Sequence, residues 1–92
     1  MYLRITRARF DPARADEVVP AASQVTAGAR RLPGYQAIYQ GVDRTAGTVA
    51  VVSVWDTEEH ARFSRDDLGD VIGRLRALGV QMEPPEILEI VE

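Results

Sequence analysis

Thr48-Val49-Ala50-Val51-Val52-Ser53-Val54-Trp55 is almost wholly apolar and rich in β-branched residues. Such a run, bounded by turn residues, reads as a strand buried on both faces of a sheet. A chain of 92 residues has little material for covering two faces. Its own helices can cover one. The economical cover for the other is a second copy of the chain, because small domains bury a modest fraction of their surface.

The flanking sequence supplies the rest of such a sheet. Tyr2 to Phe10 reads as a strand, with Leu3 and Ile5 on one side and Tyr2, Thr6, Ala8 and Phe10 on the other. Asp11-Pro12 signals a cap and first turn. Val18, Ala22, Val25, Ala29 and Leu32 recur at intervals of four, three, four and three, which places them on one stripe of a helix. Pro20 is tolerable only near a helix start, so the regular helix is predicted from about Asp16. Leu32-Pro33-Gly34 ends it.

Tyr35 to Val42 is the second strand, and Asp43 to Gly47 is the loop of a hairpin whose other arm is Thr48–Trp55. Thr57 is the expected N-cap of a second helical region, with Glu58 and Glu59 favoured at its positive end. Ser64 and Asp67 resemble a further cap, which predicts a break there. Leu68, Val71, Ile72, Leu75 and Leu78 resume helical spacing, and Gly79 closes it. After Pro84-Pro85, Glu86 to Val91 reads as the last strand. The order strand, helix, strand, strand, helix, strand defines an α+β, ferredoxin-like βαββαβ fold with an antiparallel sheet, spanning residues 1–92 as a single domain.

Composition excludes several functions. There is no cysteine, hence no disulfide and no thiolate chemistry. The net charge of -3 disfavours nucleic-acid binding, which normally needs a basic patch. All eleven basic residues are Arg; Lys and Asn are absent. No apolar run approaches the ~20 residues of a membrane span, and the N-terminal residues lack the apolar core of a signal peptide. A cytoplasmic location is expected, with no membrane partner. There is no nucleophile elbow, phosphate loop or dinucleotide fingerprint.

Leu32-Pro33-Gly34-Tyr35 ahead of the second strand, and Val54-Trp55-Asp56-Thr57-Glu58-Glu59 where a strand ending in Trp meets an acidic helix start, resemble the dimeric α+β barrel superfamily. Within it, the antibiotic biosynthesis monooxygenase-like domains are the best match, and the resemblance covers nearly the whole chain. It implies a homodimer packed sheet against sheet. Some members oxidise polycyclic aromatic substrates with oxygen and neither metal nor flavin; others degrade haem. The haem-degrading pattern asks for an Asn on the first strand, a Trp on the second helical segment and a downstream His. Here there is no Asn, Phe63 stands where that Trp would fall, and no His follows His60. Haem degradation is therefore rejected, and no haem, flavin, metal or other cofactor is expected.

The candidate ligand site consists of Tyr35, Tyr39, Trp55, His60 and Phe63. Tyr35 and Tyr39 share strand parity, so both should point to one face, near Trp55 on the neighbouring strand. Together they could line an aromatic pocket for a flat small molecule, with Phe63 closing it; the competing reading is core or interface packing. His60, the only histidine, is a candidate proton shuttle or simply a helix residue beside two glutamates. No cluster has metal-ligand spacing. Arg4, Arg7 and Arg9 lie on the first strand and could reach an anionic ligand; the favoured reading pairs them with Glu86, Glu89 and Glu92 on the last strand. The function expected is a small-molecule-binding domain, either a cofactor-free oxygenase of an aromatic or quinol-like substrate or a non-catalytic homodimeric binding module.

Overall fold

A computed structural model describes all residues from Met1 to Glu92. Strand β1 (Tyr2–Arg9) leads through a 3-10 turn at Pro12–Arg14 into helix α1 (Ala15–Ala29). Strands β2 (Tyr35–Asp43) and β3 (Thr48–Trp55) form a hairpin, followed by helix α2 (Glu58–Ala61), a second 3-10 turn at Arg65–Leu68 and helix α3 (Val71–Ala77). Two short strands, β4 (Gln81–Met82) and β5 (Glu86–Glu89), complete the chain. The sheet runs β2-β3-β1, with β4 and β5 both on the remaining edge of β1, and every pairing is antiparallel. This is the ferredoxin-like order.

The local chemistry follows the sequence signals. Asp11 Oδ1 accepts from Ala13 N at 3.0 Å and starts the first turn. Thr57 caps α2 by accepting from His60 N at 3.1 Å. Ser64 and Asp67 form a reciprocal capping box that breaks the second helical region where expected. Pro20 lies deeper than a first turn, because α1 begins at Ala15. Both Pro20 and Asp16, whose carbonyl loses its partner, are exposed, so water can satisfy that carbonyl.

The last strand differs from the expectation of one run from Glu86 to Val91. Residues 81–82 pair with Ala8 and Arg9, and Glu86–Glu89 pair with Tyr2 to Ile5. Pro84-Pro85 has no N–H to donate, so the ladder is interrupted between them. A two-residue strand is too short to leave a pattern in sequence.

Helices cover only one face of the sheet. Val49, Ser53 and Trp55 of β3 are buried against them, together with Phe10, Val18, Ala22, Ile72 and Leu75. The opposite face of β3 carries Ala50, Val52 and Val54, which are exposed or half-buried. Burial on both faces is therefore not reached within one chain.

The expected pairing of Arg4, Arg7 and Arg9 with Glu86, Glu89 and Glu92 does not form. No ion pair joins them; those present are Arg14–Glu17, Arg44–Asp16, His60–Asp56 and Arg62–Glu58. Register explains this. Ile87, not a glutamate, stands opposite Arg4, and β5 begins opposite Ile5 and runs toward Tyr2, away from Arg7 and Arg9.

Gly47 closes the hairpin at φ +73 and accepts from Phe10 N at 2.9 Å. A Cβ there would run into Phe10 O. Gly47→Ala should cost about 1–3 kcal/mol through enforced backbone strain. Urea unfolding should show a lower midpoint at an unchanged slope; an unchanged midpoint would contradict the turn's role.

Candidate functional site

A cavity lies between the inner face of the sheet and the helices. It offers about 70 Å³ to the centres of water molecules, several times the ~10–15 Å³ needed for one. The sheet forms its floor through Arg4, Thr6 and Ala8 of β1, Ile38 and Gln40 of β2, and Val49, Val51 and Ser53 of β3. Val18, Ala22, Val25 and Ala29 of α1 and Ile72 and Leu75 of α3 form the roof. The α1 stripe that encodes the helix thus also builds the roof, and its alanines leave volume that larger residues would fill. Phe63, Arg65 and Leu68, from the segment between α2 and α3, form one wall. The lining is apolar apart from five polar side chains, Arg4, Thr6, Gln40, Ser53 and Arg65.

Arg4 is 4 % exposed. Its Nη1 donates to Ala61 O at 3.0 Å and Phe63 O at 2.7 Å. Its guanidinium carbon lies 3.8 Å from the centre of the Phe63 ring, a cation–π contact. Ala61 ends α2, so its carbonyl is one of the unpaired groups at the negative helix end. Burial, with the positive charge of Arg65 second, pulls the Arg4 guanidinium down to about 10, which leaves it cationic at neutral pH. Burial, with the charge of Arg76 second, also lowers Arg65, which donates to the carbonyl of Glu83. Gln40 Oε1 is buried in the cavity region without a hydrogen-bond donor.

The five residues singled out from sequence are not brought together in this cavity. Phe63 lines it. Trp55 is fully buried directly behind, its ring 4.9 Å from Phe63, with its Nε1 donating to Ser53 Oγ at 2.8 Å. Tyr35 packs edge-on against Trp55 at 6.0 Å. Tyr39 lies on the other face and is 72 % exposed.

The shared-parity expectation for the two tyrosines fails because of a β-bulge. Tyr35 pairs with Trp55 but Ala37 pairs with Val54, so Gln36 is the extra residue. One inserted residue flips every later side chain to the opposite face.

His60 stands outside the cavity, beside the turn at Gly34. Its Nδ1 donates to Asp56 Oδ1 at 2.6 Å. Gly34, at φ +80, lies against both residues, and a Cβ there would collide with each. Asp56 N also donates to Gly34 O at 3.0 Å. The Leu-Pro-Gly turn and the Trp-Asp segment are therefore one interlocked corner. The Asp56 carboxyl is held below its ordinary 3.8, chiefly by the hydrogen bond from His60.

Arg4, Thr6, Gln40, Ser53 and Arg65 were not singled out together from sequence. For Arg4 a signal existed. It shares parity with Tyr2, Thr6, Ala8 and Phe10, which sets it on the opposite face from Arg7 and Arg9.

No protein-family model matches the sequence, and no curated protein matches it. Solved structures do match in shape. A candidate antibiotic biosynthesis monooxygenase from Deinococcus radiodurans superposes with a TM-score of 0.80 at 16% identity, covering 100% of this chain and 94% of that one. SnoaB, a cofactor-independent oxygenase from Streptomyces nogalater, gives 0.74 at 18% identity, with 99% and 93% covered. A candidate antibiotic biosynthesis monooxygenase from Chloroflexus aurantiacus gives 0.71 at 22% identity, with 99% and 93% covered. The chain thus has the ferredoxin-like α+β fold of the antibiotic biosynthesis monooxygenase-like proteins.

The Asp56–His60 bond gives a pH prediction. Because the folded-state carboxyl titrates below its ordinary value, its contribution is present above pH 3.8 and is lost as pH falls through the folded value. Asp56→Asn should lower the urea midpoint at neutral pH. The gap between parent and variant should close as the pH is taken below that value. A gap of constant size would show that the carboxylate's charge is irrelevant.

Proposed function

We propose that the chain is a small-molecule-binding domain whose ligand, an aromatic or quinol-like compound, occupies the cavity between sheet and helices, and that it oxygenates this compound without a cofactor. The observation that carries the reading is the cavity itself: an apolar space at the sheet–helix junction lined by a few polar groups. The likeness to SnoaB, a cofactor-independent oxygenase, supports the chemistry. In such a reaction the substrate supplies the electrons. A ring CH₂ becomes C=O with one oxygen atom of O₂, and the other atom leaves as water with the two hydrogens. Phe63 would face the ligand, backed by Trp55 and Tyr35.

A second reading, binding without catalysis, is favoured by one feature. The cavity lining contains no histidine, carboxylate or tyrosine, and so no protein base that titrates near neutrality.

Residues 1–92 are proposed to act as one unit within a homodimer. The outer sheet face carries Leu3, Ile5, Val52, Val54, Leu88 and Tyr39, which no element of the chain covers. An apolar patch of this kind marks an interaction surface. Tyr39 would then meet the partner subunit rather than the cavity. Light scattering should give twice the 10.2 kDa chain mass. Val54→Asp should halve the measured mass, because an unpaired carboxylate would be buried in the contact. A parent protein that is monomeric at micromolar concentration would overturn the assembly.

The cavity is tested by filling it. Ala22→Leu places a larger side chain in the roof at a packing cost of about 1–3 kcal/mol. With polyphenols and quinols screened in an oxygen electrode, the parent should consume oxygen without added flavin or metal. The folded variant should lose both binding and consumption at least tenfold. Binding without consumption by the parent would establish the non-catalytic reading.

A further inference from the structure

One wall of the cavity is held differently from its floor and roof. The floor is sheet and the roof is helix, each tied by its own backbone ladder. The wall is the segment between α2 and α3, where Phe63, Arg65 and Leu68 line the cavity while Ser64, Asp66 and Asp67 are exposed. From Ser64 to Gly69 the backbone hydrogen bonds close within the segment. Asp67 N donates to Ser64 O at 2.9 Å, and Gly69 N donates to Asp66 O at 3.2 Å. The capping box adds Ser64 N donating to Asp67 Oδ2 at 3.2 Å. No backbone hydrogen bond joins these residues to the rest of the chain. A unit with few outside ties is the kind that opens locally while the rest stays folded.

Its two ends are unlike. At Phe63 the carbonyl is pinned by Arg4 Nη1 at 2.7 Å. At the other end Gly69 adopts φ +82 and ψ -150, a conformation open essentially to glycine alone. A Cβ there would meet nothing within 4 Å, so the glycine serves the backbone rather than a close contact. Hinges are residues at element ends that absorb large changes in φ and ψ, and Gly69 stands just ahead of α3. Between the ends, one side-chain hydrogen bond reaches outside the segment, from Arg65 Nη2 to Glu83 O. Glu83 is itself fixed to β1, its N–H donating to Arg7 O at 2.9 Å. Leu68 seats on α1 at Gly28, where an added Cβ would lie 3.2 Å from Leu68 O.

With this wall in place the cavity offers only about 70 Å³ to the centres of water molecules, too little for a two-ring ligand. We propose that Ser64–Leu68 is a strap that swings about Gly69, pinned at Phe63 by Arg4 and latched by Arg65 on the Glu83 carbonyl, and that its opening enlarges the cavity and admits the ligand. This rests on the cavity being the ligand site. Opening breaks one side-chain hydrogen bond and unseats Arg65 and Leu68, and it leaves the sheet, α1 and the aromatic block at Trp55 intact. Closure then shuts the ligand away from water, as enzyme lids do.

The test uses the absence of native cysteine. Ala29 lines the cavity and is fully buried; Ala15 is buried in the core at the opposite end of α1 and does not line the cavity. Ala29→Cys and Ala15→Cys are each treated with dithiodipyridine, a neutral aromatic disulfide, and the thiopyridone released by the thiol is followed by absorbance at urea concentrations below the unfolding transition. Ala29→Cys should react at a rate nearly independent of urea, the mark of local opening. Ala15→Cys should react only through global unfolding, with a rate that climbs with urea. Arg65→Gln should speed the labelling of Ala29→Cys at least tenfold, and Gly69→Ala, which strains the closed backbone, should speed it too. Neither should speed Ala15→Cys by more than its change in urea midpoint accounts for. The proposal falls if Ala29→Cys follows Ala15→Cys in rate and urea dependence, or if Arg65→Gln leaves Ala29→Cys unchanged or speeds both cysteines alike. Should Ala29→Cys lack the parent's circular dichroism, Ala22→Cys, also on the cavity, takes its place. The labelling needs no ligand. Strap opening with no ligand found in the screen leaves the movement standing and the binding reading fallen; ligand binding with no local opening does the reverse.

Discussion

The sheet has two apolar faces and the chain has helices for one. Most of the architecture follows from that imbalance. Helices α1 and α3 pack over β1 and β3 and bury Val18, Val49, Ile72 and Leu75. On the other face, Val52 and Val54 remain where solvent can reach them. The hydrophobic effect acts on both faces, so the uncovered one is left as an apolar surface. The same division sorts the functional candidates. Whatever alternates inward on β1, β2 and β3 can meet a ligand in the cavity. Whatever alternates outward faces away from it.

The inner face is not a uniformly packed core. Trp55, Tyr35 and Phe63 stack into a solid aromatic block at one end, with Trp55 satisfied by Ser53. Arg4 joins that block to α2 by donating to the carbonyls of Ala61 and Phe63. Charged hydrogen bonds of this kind contribute about 1.5–3 kcal/mol each when formed, and their loss strands a buried group. The arginine therefore fixes the position of Phe63, which it also faces across its ring. Beyond the block, the small side chain of Ala22 leaves space in the roof over the cavity.

Periodicity made the element order and the helix-facing stripe of α1 legible, because each involves many residues repeating one signal. The failures each turn on a single residue. One extra residue at Gln36 moved Tyr39 out of the group with Tyr35, and no composition marks a bulge of that kind. A two-residue strand at Gln81–Met82 displaced the glutamates from the arginines they were expected to meet. The grouping of Arg4 with Arg7 and Arg9 overrode parity, which already separated them. Local sequence makes the glycine of Leu-Pro-Gly a helix exit. Its closer constraint, the contact with Asp56 and His60, is a tertiary one that local sequence does not carry.

His60 and the cavity belong to different parts of the molecule's chemistry. Its Nδ1 is engaged by Asp56 at a corner where Gly34, Asp56 and His60 leave no room for a side chain on the glycine. That is the arrangement of a structural lock between the start of β2 and the end of β3, and it accounts for the histidine without invoking a reaction. The cavity holds the opposite inventory: fixed positive charge, hydroxyls and an amide, with nothing that titrates near neutrality. A site so built can stabilise a negative charge but has no group of its own to create one.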